Sequence, residues 1–350
     1  MSIVDRMTKR EKEMTLLDGG MGHELKQRGI SDGTFLAGIL ANEQLIHADK
    51  VECIHFDYLV TGCNVITTNS FVAVPQRMIE CGLASDEASS NFRAATLIRA
   101  SVDRARLAIA KYNETKERSE GLNQKNPLIA GCVPPLTECY FSEKVSTSLD
   151  SLAAGYKIIL STLLDCEVDI ILAETLSTKR EALAILLALS LLKKARPIWI
   201  SFTIKDDDYT KLRSEELLES TCRCIMKEAA SLSLPLKALG VNCSTPSSIS
   251  NAIPILKQVL DKTDAEIVAY GNCFQKTTAE WLESTKDNNR YPESKTSINF
   301  CIDDYDDEGY MLPSAYARYS KEWADAGATI IGGCCGSRPK HMKAVAKILE

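Results

Sequence analysis

Three cysteines are the residues of this chain whose types and spacing best suit chemistry. Cys334 and Cys335 are adjacent in the run IIGGCCG, and Cys243 closes the run LGVNC. In both runs apolar residues typical of a buried strand, and a glycine, precede the thiol. Three thiolates at two strand ends predict a zinc site with one open position, as in catalytic zinc sites, whereas structural zinc sites usually have four protein ligands. The pattern therefore indicates a zinc-dependent enzyme.

Short apolar segments alternate with helical ones along the chain. The predicted strands are Thr15–Asp18, Val65–Asn69, Leu128–Val133, Asp169–Glu174, Ile198–Ile204, Ala238–Cys243, Glu266–Tyr270 and Thr329–Cys334. The predicted helices are Leu45–Thr61, Asp86–Tyr112, Leu149–Asp165, Lys179–Lys193, Glu215–Ser231, Ser247–Asp261, Ser314–Ala326 and His341–Leu349. This alternation predicts an α/β fold, a single (β/α)₈ TIM barrel over residues 1–350. We expect residues 1–13 to be a flexible or helical lead-in.

Polar side chains follow several of these strands. They are Asp18, Thr68, Asn69, Glu174 and Asn242. The carboxyl ends of barrel strands open onto one mouth, where the active site of such barrels lies. We therefore expect these groups to converge there with the three cysteines. Glycines beside the predicted ligands, such as Gly19 and Gly20, are expected to let the backbone approach a bound molecule closely.

The motifs DGGMGHEL at 18–25, TTNSF at 67–71, ET at 174–175, GVNC at 240–243 and GGCCG at 332–336 occur in that order. Together they resemble the zinc-dependent homocysteine S-methyltransferase family, over about residues 14–349. The resemblance implies a barrel whose zinc is bound by thiolates at 243, 334 and 335. It also implies methyl transfer to homocysteine, giving methionine, from a sulfonium donor such as S-methylmethionine or S-adenosylmethionine.

The resemblance also implies roles for the polar strand ends. Asp18 and Glu174 would bind the ammonium group of homocysteine, and Thr68 with nearby backbone amides would assist at its carboxylate or behind it. We predict substrate-binding positions at Gly19, Gly20, Asn69 and Asn242 as well. The two asparagines could instead cap turns. An ordinary thiol has a pKa of about 8.5, so zinc coordination would be needed to deprotonate homocysteine near neutral pH.

The part of the chain expected to bind the donor departs from the family pattern. Residues 131–138, GCVPPLTE, lack the glycine- and tyrosine-rich motif of S-methylmethionine-using relatives, and residues 269–274 read AYGNCF where those relatives have Pro-Asn-Ser-Gly. We also do not expect this protein to carry the C-terminal extension of betaine-using relatives. A sulfonium donor is favoured, and betaine remains the alternative. Phe71, Tyr270 and Phe274 could contact a sulfonium through cation–π interactions, although core packing is their more ordinary role.

Several other residues have less specific assignments. Cys273 could be a fourth metal ligand, whereas His23 and His55 fit a helix surface or core better. Cys222 and Cys224 point to different helix faces and predict no site. Residues 275–310 contain the acidic run DDYDDE, which is expected to be a solvated excursion, with a metal-binding loop as the alternative.

Composition limits the remaining classes of function. The chain has 350 residues, a formal charge of -6 and 13 cysteines. The charge disfavours nucleic acid or membrane surfaces as partners, and the scattered, odd number of cysteines disfavours a disulfide framework. We expect a cytoplasmic monomer or small homo-oligomer that acts on small molecules. Methylation of another thiol or selenol, and a non-enzymatic zinc or thiol redox sensor, remain open alternatives.

Overall fold

Eight parallel strands form one sheet in the computed structural model, which describes residues 14–30, 35–43, 45–119, 126–137, 139–194, 196–275 and 301–350. The strands are β1 (Thr15–Leu16), β2 (Val65–Thr67), β3 (Leu128–Val133), β4 (Ile170–Leu176), β5 (Ile198–Phe202), β6 (Leu236–Asn242), β7 (Glu266–Gly271) and β8 (Ile330–Gly333). Their order is β1-β8-β7-β6-β5-β4-β3-β2. A parallel bridge between Leu17 and Val65 joins the two ends of this order, so the sheet closes as a barrel. The predicted (β/α)₈ fold is confirmed.

Helices follow the strands and cover the outside of the barrel. They are α1 (Met21–Gln27), α2 (Phe35–Leu40), α3 (Leu45–Val60), α4 (Pro75–Glu80), α5 (Glu87–Ser119), α6 (Leu149–Asp165), α7 (Lys179–Leu192), α8 (Leu218–Ser231), α9 (Pro246–Leu260), α10 (Pro313–Ala326) and α11 (Pro339–Leu349). Two short 3₁₀ helices span Ser142–Lys144 and Ile302–Asp304. No helix in the described ranges is both long and apolar enough to cross a lipid bilayer.

Local sequence sets where these helices begin. Thr178 and Glu181 form a capping box at the start of α7, in which each side chain accepts a hydrogen bond from the other residue's backbone. Ser148 caps α6 by accepting a hydrogen bond from the Ser151 backbone N–H. Helices α9, α10 and α11 each begin with a proline, whose fixed φ and missing N–H suit the first helical position.

Two apolar layers stabilise the barrel. One lies between the strands and the surrounding helices. The other fills the barrel interior with side chains from every strand or its immediate flank, namely Leu17, Val65, Ala130, Ile170, Leu172, Trp199, Ala238, Val268, Tyr270 and Ile330. Cys334 packs against this interior layer, so the candidate metal ligands lie directly on the filled core. A packed interior gives the mouth a rigid floor.

The sequence predicted all eight strands, with bounds that differ by at most two residues at each end. It missed the short helices α1, α2 and α4. Helix α1 begins three residues after Asp18, where the glycine-rich segment lacks a helical signature. In the acidic excursion, residues 276–300 fall outside the described ranges, as does the predicted lead-in at 1–13. Asp304 pairs with Arg318, and Asp306 accepts backbone hydrogen bonds in a turn, so these two carboxylates have structural partners.

Candidate active site

The three predicted cysteines converge at the mouth of the barrel. The Sγ atoms of Cys243, Cys334 and Cys335 all lie within 4.8 Å of one another, and the pair Cys243–Cys335 is 3.6 Å apart. Tetrahedral zinc with bonds of about 2.3 Å places its sulfur ligands about 3.8 Å apart. Among the His, Cys, Asp and Glu side chains that the structure describes, these three cysteines form a group close enough to bind one metal ion. The donor set therefore fits zinc.

The charge of the cluster also fits a bound cation. Hydrogen bonds from the thiols of Cys334 and Cys335 hold the pKa of Cys243 well below its usual range. The pKa of each of those two thiols is raised, chiefly by the hydrogen bond to Cys243. Without a cation, the cluster thus favours a single thiolate, at Cys243, with the other two thiols protonated. Three thiolates at such short separations would repel one another. A divalent cation removes that repulsion and allows all three to ionise.

Strand ends fix the backbone at these ligands. The Cys243 N–H donates to Tyr270 O at 3.0 Å, and the Cys334 N–H donates to Gly271 O at 2.9 Å, so both ligands are tied to the end of β7. Cys243 adopts φ +52°, a left-handed conformation that is uncommon for a residue with a side chain. Immediately after β6, this conformation turns the chain at the candidate ligand Cys243.

Asp18 lies at the end of β1 and is 3% exposed. Its carboxylate accepts hydrogen bonds from the backbone N–H and the hydroxyl of Thr67, both at 2.9 Å. Burial nevertheless raises the pKa of Asp18 to about 8. The nearest basic group, Nδ1 of His55, is 4.0 Å away, and burial lowers the pKa of that imidazole to about 3, so it is neutral. Asp18 is therefore a buried carboxylate that no cation among the described residues balances.

Glu174 lies near the end of β4 under similar conditions. Its Oε1 accepts a hydrogen bond from the Cys132 thiol and its Oε2 from the Tyr270 hydroxyl, both at 3.0 Å. Burial raises the pKa of Glu174 to about 7. The negative charge of Glu174 also contributes to the raised pKa of Asp18, so the two carboxylates lie near each other. A ligand with a positive group would stabilise both.

Asn242 connects the carboxylate side to the metal side. Its Oδ1 accepts hydrogen bonds from the Thr175 N–H at 2.9 Å and the Ser201 hydroxyl at 2.8 Å. Its Nδ2 donates to the Thr175 hydroxyl at 2.8 Å and lies 3.9 Å from Cys334 Sγ. Thr175 has φ +61°, a strained value for a β-branched residue, and its two hydrogen bonds with Asn242 stabilise this conformation. Asn242 thus shapes the backbone beside Glu174.

The residues at the end of β2 and just after it contact Asp18 and the neighbouring loops. Thr67, which the sequence did not single out, contacts Asp18. The Thr68 hydroxyl accepts from the Cys132 N–H at 2.9 Å and lies 2.8 Å from the Ser70 hydroxyl. Asn69 Nδ2 donates to Gly38 O at 2.8 Å. These contacts position neighbouring loops, and substrate binding by Thr68 and Asn69 stays a prediction.

The predicted glycines allow two chain segments to meet. A Cβ on Gly20 would lie 2.6 Å from Cys334 O, and a Cβ on Gly19 would lie 2.7 Å from Ser337 Oγ. Ser337 Oγ accepts a hydrogen bond from the Gly20 N–H at 3.0 Å and donates to Cys334 O at 2.7 Å. The glycines thus allow the turn after β1 to pack against the turn after β8, which carries Cys334 and Cys335. Their contact with substrate also stays a prediction.

Tyr140 is a site residue that the sequence did not reveal. Its hydroxyl lies 2.7 Å from Cys243 Sγ, and its backbone has φ +78°. Its N–H donates to the Ser177 hydroxyl at 3.1 Å, which ties this loop to the one after β4. The residue lies in an irregular loop seven positions after β3, where periodicity carries no information. An aromatic residue close to the expected donor segment 131–138 was the only available indication.

The other candidates lie outside the metal-ligand group. Cys273 is fully buried, and its N–H donates to Cys335 O at 2.8 Å, so it supports the turn after β8. The His23 ring packs 5.2 Å from the Phe274 ring. Tyr270 presents its hydroxyl to Glu174 from within the barrel core. Cys222 is buried in α8, apart from the site.

Fold and site together define a (β/α)₈ barrel with a three-cysteine centre suited to zinc and two buried carboxylates beside it. The homocysteine S-methyltransferase family profile matches residues 15–349, and the chain belongs to that family. Homocysteine S-methyltransferase 1 of Arabidopsis thaliana is 26% identical over 364 residues, covering 100% of this chain and 97% of that protein. The selenocysteine methyltransferase of Astragalus bisulcatus is 26% identical over 352 residues, covering 96% and 92%.

A solved structure shares the fold. The metallated form of the homocysteine methyltransferase MmuM from Escherichia coli superposes with a TM-score of 0.72 at 23% identity, covering 96% of each chain. At this identity the likeness bears on architecture alone. It agrees with the closed parallel barrel described above.

Proposed function

We propose that this protein transfers a methyl group from a sulfonium donor, S-methylmethionine or S-adenosylmethionine, to the sulfur of homocysteine, giving methionine. The observation that carries the proposal is the joint presence of a three-thiol centre and two buried carboxylates at one mouth. The thiols fit a sulfur-binding metal, and the carboxylates fit the ammonium group of an amino acid. Membership of the homocysteine S-methyltransferase family supports the same acceptor.

The proposed metal ligands are Cys243, Cys334 and Cys335. Three protein ligands leave one position of a tetrahedral zinc ion for a further ligand. Zinc held there would act as a Lewis acid and lower the pKa of a coordinated thiol, so that homocysteine could react as a thiolate near neutral pH. No general base is then required, and neither buried carboxylate needs to move a proton in the transfer.

The two carboxylates orient the acceptor. Asp18 is held by Thr67, and Glu174 is held by Cys132 and Tyr270, so both oxygens of each group already have hydrogen-bond donors. An ammonium group between them would replace the missing counter-charge and lower both pKa values. This electrostatic gain is a physical reason for the site to prefer an amino acid over a simple thiol.

The transfer itself is a displacement at the methyl carbon. A bond forms between the acceptor sulfur and that carbon, while the bond from the carbon to the donor sulfur breaks and its electron pair leaves with the donor. A sulfonium donor therefore departs as a neutral thioether and needs no additional cofactor. Betaine would also release a neutral group, a tertiary amine, but a thioether is the weaker base and hence the better leaving group, which favours a sulfonium donor.

Product detection tests the proposal. Reduced protein supplied with zinc and homocysteine should form methionine with S-methylmethionine or S-adenosylmethionine, and betaine serves as the third donor. Methionine from betaine alone would overturn the donor assignment. No product with any donor would overturn the reaction. Replacing homocysteine by selenocysteine tests the selenol alternative, which the Astragalus bisulcatus relative makes specific.

The redox-sensor alternative makes a different demand on the same residues. A sensor needs cysteines that approach each other, and the 3.6 Å separation of Cys243 and Cys335 would serve it. It does not need two buried carboxylates beside them. Homocysteine binding that depends on Glu174 would therefore favour the transferase over the sensor.

A further inference from the structure

Loops that follow β3 and β5 meet over the metal-binding side of the mouth. Antiparallel bridges Ile204–Leu212 and Lys211–Leu217 fold the segment 205–217 back on itself. The Ser142 hydroxyl donates to Arg213 O at 3.2 Å and fastens this segment to the loop after β3. The Arg213 guanidinium carbon consequently lies 5.5 Å from the centroid of the Tyr140 ring, within cation–π range.

Two short routes connect Arg213 to the metal-binding side. One passes through Tyr140, whose hydroxyl lies 2.7 Å from Cys243 Sγ. The other passes through Thr203, whose hydroxyl accepts from Arg213 Nε at 3.4 Å and donates to Cys243 O at 3.2 Å. The guanidinium is therefore separated from a metal-binding cysteine by one side chain on either route.

Arg213 is held so that one nitrogen is left available. Nη2 donates to Asp206 Oδ2 at 3.1 Å, and Asp206 Oδ1 accepts from the Thr245 N–H at 3.0 Å. Nη1 makes no hydrogen bond to any residue that the structure describes, and 13% of the side chain is exposed. The Asp206 side chain is 3% exposed, so the pair is anchored on its inner side. The guanidinium therefore keeps a donor group for one further anionic partner.

We propose that Arg213 binds the carboxylate of the methyl donor, an inference that rests on the proposed function. S-methylmethionine and S-adenosylmethionine each carry a sulfonium and a carboxylate a few bonds apart. The thiolate centre attracts the positive end, and Arg213 attracts the negative end. The guanidinium can offer this carboxylate an N–H of Nη1 together with the second N–H of Nη2, which is not used by Asp206, and such a pair fixes orientation as well as position. The donor methyl is thereby turned toward the acceptor sulfur.

Substitution of Arg213 by glutamine, combined with donors of two kinds, tests this role. S-methylmethionine carries the carboxylate, and the trimethylsulfonium ion lacks it. Arg213→Gln should raise KM and the calorimetric Kd for S-methylmethionine roughly ten- to a hundredfold, the usual effect of losing a charged hydrogen bond. Its kcat/KM with trimethylsulfonium should match that of the unsubstituted protein. Arg213→Lys should recover only part of the loss, because it keeps the charge and not the fork.

Lys205→Gln is the matched control, because it removes one positive charge from the same segment at a residue paired with Glu215. It should leave the affinity for S-methylmethionine unchanged. An equal loss with both donors in Arg213→Gln would mean that Arg213 only supports the loops, and would overturn the inference. An unchanged Kd for S-methylmethionine would overturn it as well. Binding that depends on Arg213 without any methionine formation would instead uphold this site and refute the proposed reaction.

Discussion

The floor of the barrel mouth and the loops above it place their side chains in different ways. On the floor, Cys243, Glu174 and Asp18 occur at or beside strand ends, so the hydrogen bonds of the sheet determine where they lie. In the loops, Tyr140 and Arg213 are placed by contacts between loops. The floor holds the groups proposed for the metal and the acceptor, and the loops hold those proposed for the donor. This contrast suggests that acceptor chemistry depends on the barrel, whereas donor choice depends on loop contacts.

The largest effect is expected from the floor itself. Cys334→Ala should abolish zinc binding and reduce methyl transfer by at least about a thousandfold, since catalytic zinc needs its three protein ligands. The circular dichroism spectrum should be unchanged, because the barrel core does not depend on the metal. Metal analysis of the purified variant is the measurement, with Cys81→Ser, a change at an exposed cysteine, as the control. Full zinc content in a Cys243→Ala, Cys334→Ala double variant would refute the assignment.

The carboxylates should show the next largest effect. Glu174→Gln and Asp18→Asn should each raise the KM for homocysteine roughly ten- to a hundredfold, because each removes one charged hydrogen bond to the ammonium group. Zinc content should stay the same in both variants, which separates the acceptor clamp from the metal ligands. Steady-state kinetics with metal analysis checks this, and an unchanged KM in both variants would exclude the clamp.

The same carboxylates predict a pH dependence. Burial raises the pKa of Glu174 to about 7 and of Asp18 to about 8, and only their ionised forms attract an ammonium group. The KM for homocysteine should therefore fall as pH rises through 7 and 8. In the ligand-free protein these raised values act oppositely on folding, because the folded state favours the protonated groups. Their contribution to stability is full below the ordinary carboxyl pKa of about 4 and is lost as pH rises from there to about 7 and 8. A KM profile that is equally steep in Asp18→Asn would contradict this origin.

The smallest effect is expected from a loop residue. Tyr140→Phe removes the hydroxyl beside Cys243 and keeps the ring against Arg213. Three cysteines remain, so zinc content and the KM for homocysteine should be unchanged, while kcat changes by less than about tenfold. Comparing the homocysteine KM of this variant with that of Glu174→Gln tests whether floor and loop residues have separate roles. A rise in the homocysteine KM as large as that of Glu174→Gln would remove the division.

The sequence predicts the floor because it rests on local regularities. Apolar strand segments locate the strands, and parallel pairing in a barrel brings their carboxyl ends together. The positions of Glu174 and Cys243 at the mouth follow from this rule alone. The sequence does not predict the contact of Thr67 with Asp18, because which side chains at a strand end face the mouth changes with a one-residue shift of the strand's bounds.

The loops resist prediction for a physical reason. Tyr140 and Arg213 are 73 positions apart, and their approach depends on the left-handed backbone at Tyr140 and the folded-back segment 205–217. The conformational preferences of neighbouring residues in the sequence do not predict this contact. The left-handed conformation of Thr175 cannot be predicted from the sequence either, since threonine favours extended backbone. Hydrogen bonds with a distant residue, Asn242, offset the strain.

X-ray absorption at the zinc edge is the most direct test of the central claim that the thiolate centre receives the acceptor sulfur. The zinc-loaded protein should show about three sulfur ligands at about 2.3 Å, supplied by Cys243, Cys334 and Cys335. Addition of homocysteine should raise the count to four, and the rise should need a higher homocysteine concentration in Glu174→Gln. A sulfur count that homocysteine does not change at any concentration would contradict the account.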